Sequence, residues 1–436
     1  MSSPYKLSLS SAIMINMNIM LGAGIFLNPV VLSLYAGALS PISYLVVGLL
    51  ILPLILSLTY LLRRVPGGSF YDFGSQINQL TGFIAAWSYF LGKLASGALM
   101  LHFGFSLLQE LIPWMQKFNI LSIDFIGIIG FTLLNLLGLK TGKYIQLLFM
   151  ILKVIPIIAI VGIGFFSFNT ANFTPSHMDV KGLYITIPLV LYAFTGFEAS
   201  CSLYRLMANP EKNAPRAVIL SFLGVLSMTM LFQMAFYAAV NPDLLMFTPY
   251  FDGLSLFLYS TIWSFPAKNV IVWLLQSSVA LSALGGSYGI LFSVNWNLYI
   301  LAKEKLTIFS NTFSKLNRFH IAWMCVLSEA LLYFIYLFST KGYQIPLQQL
   351  AALGCTVAYA ISTLALLFVR IRQQKSGGMI TIVAILGMLC CSILLLTTVS
   401  SIYKYSLAPL TGYLALLSLG IIMFGYQRRK NTKSLT

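Results

Sequence analysis

Polar residues in this chain fall between apolar segments and do not form one face of them. Long apolar runs recur over residues 9–36, 41–62, 82–112, 123–139, 144–168, 183–206, 217–240, 268–302, 321–339, 346–369, 379–399 and 407–427, separated by short segments that carry most Arg, Lys, Asn and Pro residues. A helix rises 1.5 Å per residue, so about 20 apolar residues span a bilayer core. The runs are continuous and lack the every-second-residue alternation of a membrane barrel. The pattern predicts an all-α integral membrane protein of twelve transmembrane helices.

Composition supports the bilayer as solvent. Hydrophobic residues make up 59% of the chain and charged residues 8%, against about 25% charged in soluble domains. The net charge of +16 would suggest nucleic acid in a soluble protein, but its placement points to topology. With the N-terminus inside, cytoplasmic segments hold Lys6, Arg63, Arg64, Lys140, Lys143, Arg205, Lys212, Arg216, Lys303, Lys305, Lys315, Arg318, Arg370, Arg372, Lys375, Arg428, Arg429, Lys430 and Lys433. The opposite loops hold only Lys117, Lys181, Lys268, Lys341 and Lys404. Basic loops stay in the cytoplasm, so both termini are expected there, in a plasma or inner membrane, with no nucleic-acid partner. The start of the chain lacks a small-residue cleavage site and reads as a retained first span rather than a signal peptide. Cys201, Cys325, Cys355, Cys390 and Cys391 lie in or beside spans without metal-ligand spacing, and neither metal nor cofactor is expected. No linker separates soluble domains. The longest connection, 241–267, carries Phe247, Tyr250, Phe251, Phe257, Tyr259, Trp263 and Phe265. It reads either as an ordinary loop or as a segment folded onto the outer face with a short interfacial helix.

Two spans are interrupted. Span 1 contains Gly22-Ala23-Gly24-Ile25-Phe26 and then Asn28-Pro29. Each glycine weakens a helix by about 1 kcal/mol, and proline removes a ladder hydrogen bond. The glycines alone fit either close helix packing or unwound backbone around a cavity. Span 6 shifts the balance. It reads Ala193-Phe194-Thr195-Gly196-Phe197-Glu198-Ala199, with a mid-span glycine, a hydroxyl and a carboxyl. Spans 1 and 6 each begin a five-span unit, and they run in opposite directions. Matching interrupted helices in two halves point to an inverted-repeat transporter. Half-helix N-termini offer N–H groups to a carboxylate, and half-helix C-termini offer carbonyls to an ammonium or cation. An α-amino acid carries both charges close together.

At these motifs the chain resembles the amino acid–polyamine–organocation transporters, over about residues 10–375. Beside the span-1 and span-6 motifs, the resemblance is carried by Pro66-Gly67-Gly68-Ser69-Phe70, by Asn135-Leu136-Leu137-Gly138-Leu139-Lys140 with Ile145-Gln146, and by Asn209-Pro210-Glu211-Lys212-Asn213-Ala214-Pro215-Arg216-Ala217. It implies a LeuT-like core of ten helices over 1–375, with inverted repeats at about 9–168 and 183–370. Two further helices and a basic tail would occupy 376–436 and be available for a homodimer. It also implies that the N–H groups of Ala23, Gly24 and Ile25 face a substrate carboxylate. The carbonyls of Phe194 and Thr195, around Gly196, would face its amino group, with Phe197 as an aromatic cover. One departure stands out. The family often has an acidic pair at the end of span 6, whereas Ser202-Leu203-Tyr204-Arg205-Leu206-Met207 has none.

Charges inside spans cost about 2.5 kcal/mol or more at mid-bilayer and mark function by default. Lys153 in span 5 resembles the lysine that, in proton-coupled members, replaces a sodium ion. It would carry the coupling proton, flanked by Ser282 and Ser287. The alternative is a lysine snorkelling to the cytoplasm. Glu198 would gate by protonation or sit as a buried hydrogen-bonded acid. Lys93, one turn after Tyr89 and one before Gly97, would pair with Glu198 or read an acidic substrate. His102 and Glu329 are assigned packing or hydrogen bonding.

The expected function is a secondary permease moving amino acids or related amines by alternating access, with proton symport foremost and exchange as the alternative. The partners are a small-molecule substrate, protons and the bilayer. A nutrient sensor on the same fold is the non-transport rival. An enzyme is not expected, because His102, His177 and His320 are scattered and no paired-carboxylate or phosphate-loop motif occurs.

Overall fold

The computed structural model describes residues 5–22, 24–174, 178–247, 253–262, 268–373 and 378–433. Among them the chain is helical and contains no strand beyond two isolated bridges. Helices α1 (Leu9–Met20) and α2 (Gly24–Ala36) are followed by α3 (Ser40–Arg64), α4 (Phe70–Gly74), α5 (Gln79–Leu111), α6 (Ile120–Asn135) and α7 (Leu139–Phe166). Then come α8 (Gly182–Phe194), α9 (Ala199–Leu203), α10 (Pro210–Ala239), α11 (Pro242–Leu245), α12 (Gly253–Ile262) and α13 (Lys268–Lys303). The last are α14 (Ser310–Phe313), α15 (Trp323–Thr340), α16 (Gln344–Arg372), α17 (Met379–Tyr405) and α18 (Ala408–Lys433). Among the described residues, 9 helices are long and apolar enough to cross a membrane, and α1 and α6 are shorter apolar helices. The chain is therefore a multi-span membrane protein.

Local chemistry sets the ends. The fourth and fifth spans meet earlier than hydropathy alone predicts: α6 ends at Asn135 rather than near 139, and α7 starts at Leu139 rather than near 144. Gly138, at φ 105°, makes the turn, a conformation that glycine alone adopts at little cost. Asn119 caps α6 by accepting from the Leu121 N–H at 2.9 Å. The connection 241–267 holds the ten-residue α12, with Phe257 buried. Its Tyr250, Phe251, Trp263 and Phe265, like His177, lie outside the described residues.

Helix α5 is the central post, packed along α13 and α16. Close approach is possible because a Cβ on Gly92 would meet the Cys355 N and Gly354 Cα at 2.8 Å. Helix α17 lies against α3 and α16, and α18 against α5 and α16. The α18 contact is polar as well as apolar. Trp87 Nε1 donates to the Leu416 carbonyl at 3.0 Å, and the Tyr413 hydroxyl to Ser88 Oγ at 2.9 Å. The outer face shows large apolar side chains such as Ile155, Leu331, Phe338 and Ile422. Lipid accepts such a face and water does not, whereas polar groups turn inward or bond their own helix. Ser57, Thr59, Thr132 and Ser362 all donate to the carbonyl four residues back.

Candidate functional site

Span 1 is interrupted where its glycines stand. Helix α1 stops at Met20, and α2 begins at Gly24. The N–H groups of the first turn of α2 and the last carbonyls of α1 thus open onto the break. Ala23 lies outside the described residues. Lys153 of α7 reaches the α1 end of this break. Its Nζ donates to the carbonyls of Asn18 at 2.8 Å, Leu21 at 2.7 Å and Ser282 at 3.1 Å. The ammonium is fully buried and does not snorkel. An ammonium has three donors, and here each finds a carbonyl, at the negative end of the α1 dipole. Ser282 completes the cluster by donating its hydroxyl to the Leu21 carbonyl at 2.8 Å. Ser287 lies further along α13. Its carbonyl accepts from Tyr333 at 3.4 Å, and its buried hydroxyl has no hydrogen-bond partner among the described residues.

Span 6 is interrupted over Thr195–Glu198, between α8 and α9. Gly196 sits at φ 138°. A Cβ there would meet Ile19 Cγ2 at 2.8 Å and the Met20 N at 2.9 Å. Both the dihedral and the space therefore require glycine, because the span-6 turn rests on the end of α1. The other halves also touch: a Cβ on Gly24 would lie 3.6 Å from Ala193 Cβ. The two interruptions therefore adjoin, with the start of α2 beside the end of α8. Ile25, Phe194 and Phe197 are buried, and Thr195 is partly so. Phe197 stacks on Tyr359 of α16 at 6.0 Å, and Phe194 meets Tyr44 and Phe222 edge-on.

Glu198 closes the span-6 turn. Its Oε2 accepts from the Gly196 N–H at 2.7 Å, while Oε1 lies 2.9 Å from Lys93 Nζ and 3.4 Å from the Tyr89 hydroxyl. Lys93 and Glu198 are buried at 1% and 0% side-chain exposure. Tyr89 and Lys93 share one face of α5, which continues to Gly97, against which Tyr333 packs. His102 pairs with Asp124 at 2.6 Å, while both oxygens of buried Glu329 lack a hydrogen-bond partner among the described residues.

Two asparagines escape the sequence analysis. Asn16 Nδ2 donates to the Phe197 carbonyl and Ser200 Oγ at 2.9 Å and to Ser221 Oγ at 3.2 Å, holding the span-6 turn to α1. Asn18 Nδ2 donates to the Gly285 carbonyl at 2.9 Å and to Gln146 Oε1, linking α1 to α13 and α7 around Lys153. The signal was present: two amides, at i and i+2, inside an apolar span that can satisfy them only internally.

At the end of the bundle that holds residues 5–8, the missing acidic pair has a replacement of opposite sense. Arg205, at the end of span 6, pairs with Asp72 at 3.0 Å and lies 3.8 Å from Glu304. Asp72 is held by a capping box with Ser69. The chain just before α1 pairs with the chain after α9: Leu7 N–H donates to the Leu206 carbonyl and Ala208 N–H to the Leu7 carbonyl, both at 2.9 Å. Lys6 Nζ adds a bond to the Arg205 carbonyl at 3.0 Å.

The serine/threonine exchanger SteT of Bacillus subtilis is 27% identical over 221 residues, 49% of this chain and 50% of the exchanger. An uncharacterised transporter of Mycobacterium tuberculosis, and one of Mycobacterium bovis, are 28% identical over 255 residues, 51% of this chain and 52% of theirs. The chain thus spans about half the length of the curated relatives it matches. The amino acid permease family matches far more of it, residues 7–424. Two interrupted helices adjoining in a membrane-embedded bundle, with a family match over nearly the whole chain, lead to one conclusion: the chain belongs to the amino acid permease family.

Proposed function

We propose that this permease carries amino acids or related amines by alternating access, driven by proton symport. In this reading the chain crosses the membrane twelve times with both termini in the cytoplasm. Residues 9–168 and 183–370 form the inverted repeats, and the helices beyond 376 lie outside them. The substrate carboxylate docks on the N–H groups of Ala23, Gly24 and Ile25. Its ammonium meets the carbonyls of Phe194 and Thr195 around Gly196, beneath Phe197. The observation that carries the coupling is the Lys153 ammonium with its three carbonyl acceptors from α1 and α13. Protonated, it ties α1 to α13. A neutral amine has only two donors and no charge, so at least one of those ties is lost and α1 is freed to move. A carbonyl cluster already satisfied by an ammonium leaves no room for sodium. Glu198 and Lys93 stand behind the span-6 turn, where they affect the path between the outward-open and inward-open states.

The test is uptake of labelled amino acids into vesicles containing the purified protein. An inward proton gradient accelerates uptake in the wild type, and Lys153→Ala loses that acceleration. Exchange is the second reading, favoured by the similarity to a serine/threonine exchanger. It predicts uptake that needs internal amino acid and ignores the gradient, which would sink the symport reading. Binding without any uptake would instead favour a sensor.

A further inference from the structure

The turn that interrupts span 6 is backed by a fully enclosed ion pair, and its charge balance bears on what the turn accepts. We propose that Lys93 determines specificity: by neutralising Glu198 it restricts this permease to amino acids with uncharged side chains and excludes cationic ones. The inference rests on the substrate placement proposed above.

Glu198 is bound to the turn itself, through the Gly196 N–H at 2.7 Å. It also lies 3.4 Å from the Tyr89 hydroxyl and 2.9 Å from the Lys93 ammonium, and of these two only Lys93 brings charge. Of the Lys, Arg, Asp and Glu side chains buried among the described residues, only Lys93 and Glu198 pair with each other. Without Lys93, a carboxylate would stand in a low-dielectric interior with neutral donors alone, a state relieved either by a proton or by an incoming cation. A substrate with a cationic side chain or a second amine supplies that cation. With Lys93 present, such a substrate brings a second positive charge to a site already neutral. The helix backbone that carries the lysine has no room to shift, because the neighbouring Gly92 sits against Gly354 and Cys355 with no space for even a methyl group, and the ammonium is held at 2.9 Å from its carboxylate. An acidic side chain fares no better, since the ammonium already has its carboxylate.

The experiment measures competition in vesicles loaded with the full-length protein, using labelled serine and leucine against unlabelled arginine, ornithine and aspartate. Wild-type uptake is inhibited by neutral amino acids and not by arginine, ornithine or aspartate. Lys93→Met strengthens competition by arginine at least tenfold, and Glu198→Gln does the same for aspartate. The combined Lys93→Met/Glu198→Gln variant shows neither gain. Lys93→Gln, which keeps a hydrogen-bond donor, is the second variant should the methionine not fold. Arginine competing as well as serine in the wild type overturns the proposal. So does a folded, monodisperse Lys93 variant whose selectivity is unchanged. If no amino acid enters wild-type vesicles, the transport reading fails on its own, and selectivity is read from ligand-induced thermal stabilisation of the purified protein. Stabilisation by serine or leucine but not arginine then upholds the role of Lys93. Stabilisation by none of them overturns it.

Discussion

Gly196 shows how a single position can be decided twice over. Its φ of 138° disfavours any side chain, by about 1–3 kcal/mol for such backbone regions. The atoms awaiting a Cβ include the Met20 N, which cannot rotate away. Gly196→Ala is therefore expected to lower the thermal midpoint in detergent and to reduce uptake. Gly162→Ala is the matched control: nothing lies within 4 Å of its Cβ, and no loss of stability is expected. The same melting curves check both. At this scale the sequence was informative about identity and poor about partners. Gly196, Glu198, Lys93 and Lys153 stood out because glycine or charge is costly in an apolar helix. Asn16 and Asn18 did not, because an amide carries no charge to mark it and their partners lie more than 100 residues away. Ser287 illustrates the converse. A serine in an apolar run can bond its own helix, so its presence says little about direction.

Among the elements, the interrupted helices are joined at both ends. Helix α1 is tied to the span-6 turn by Asn16, which donates to the Phe197 carbonyl, and the chain before α1 to the chain after α9 by the pairing of Leu7 with residues 206 and 208. Helices α2 and α8 are tied by Asn28, which donates to the Leu189 carbonyl at 3.3 Å. The Asp72–Arg205 pair braces the second of these ties. At 13% and 31% exposure it is worth about 1 kcal/mol at most. A double-mutant cycle of Asp72→Asn and Arg205→Gln, followed by thermal denaturation, is expected to return about that coupling, separately from the cost of losing the Asp72 cap on α4. The helices were legible from hydropathy and their ends were not. The fourth and fifth spans were misplaced because Gly138 turns the chain inside a stretch that is apolar on both sides, and a window average cannot see a single left-handed residue.

For the whole molecule, the distribution of Lys and Arg is the topological statement, and it can be checked independently of transport. Lys117 and Lys315 are both exposed, and the proposed orientation puts them on opposite sides. With the five native cysteines buried as free thiols, Lys117→Cys is expected to react with a membrane-impermeant maleimide in intact cells. Lys315→Cys should react only after permeabilisation. Labelling of both in intact cells would contradict the odd number of crossings that the proposed topology places between them. The membrane character was plain from composition, because no soluble core could hide so many apolar residues, and the helical character from apolar runs that lack strand alternation. Which helices touch was not, because apolar side chains are interchangeable toward lipid and toward one another.

The short pairing of Leu7 with Leu206 and Ala208 has a further consequence for timing. Two backbone hydrogen bonds yoke the arms of both interrupted helices at this end of the bundle into a single lever. One arm leads to the place proposed for the carboxylate and the other to the place proposed for the ammonium. If the lever turns as one piece, the two charges of a departing amino acid lose their partners in the same stroke. In the proposed orientation and function, release toward the cytoplasm then has no half-held stage, and it follows a single exponential rather than two.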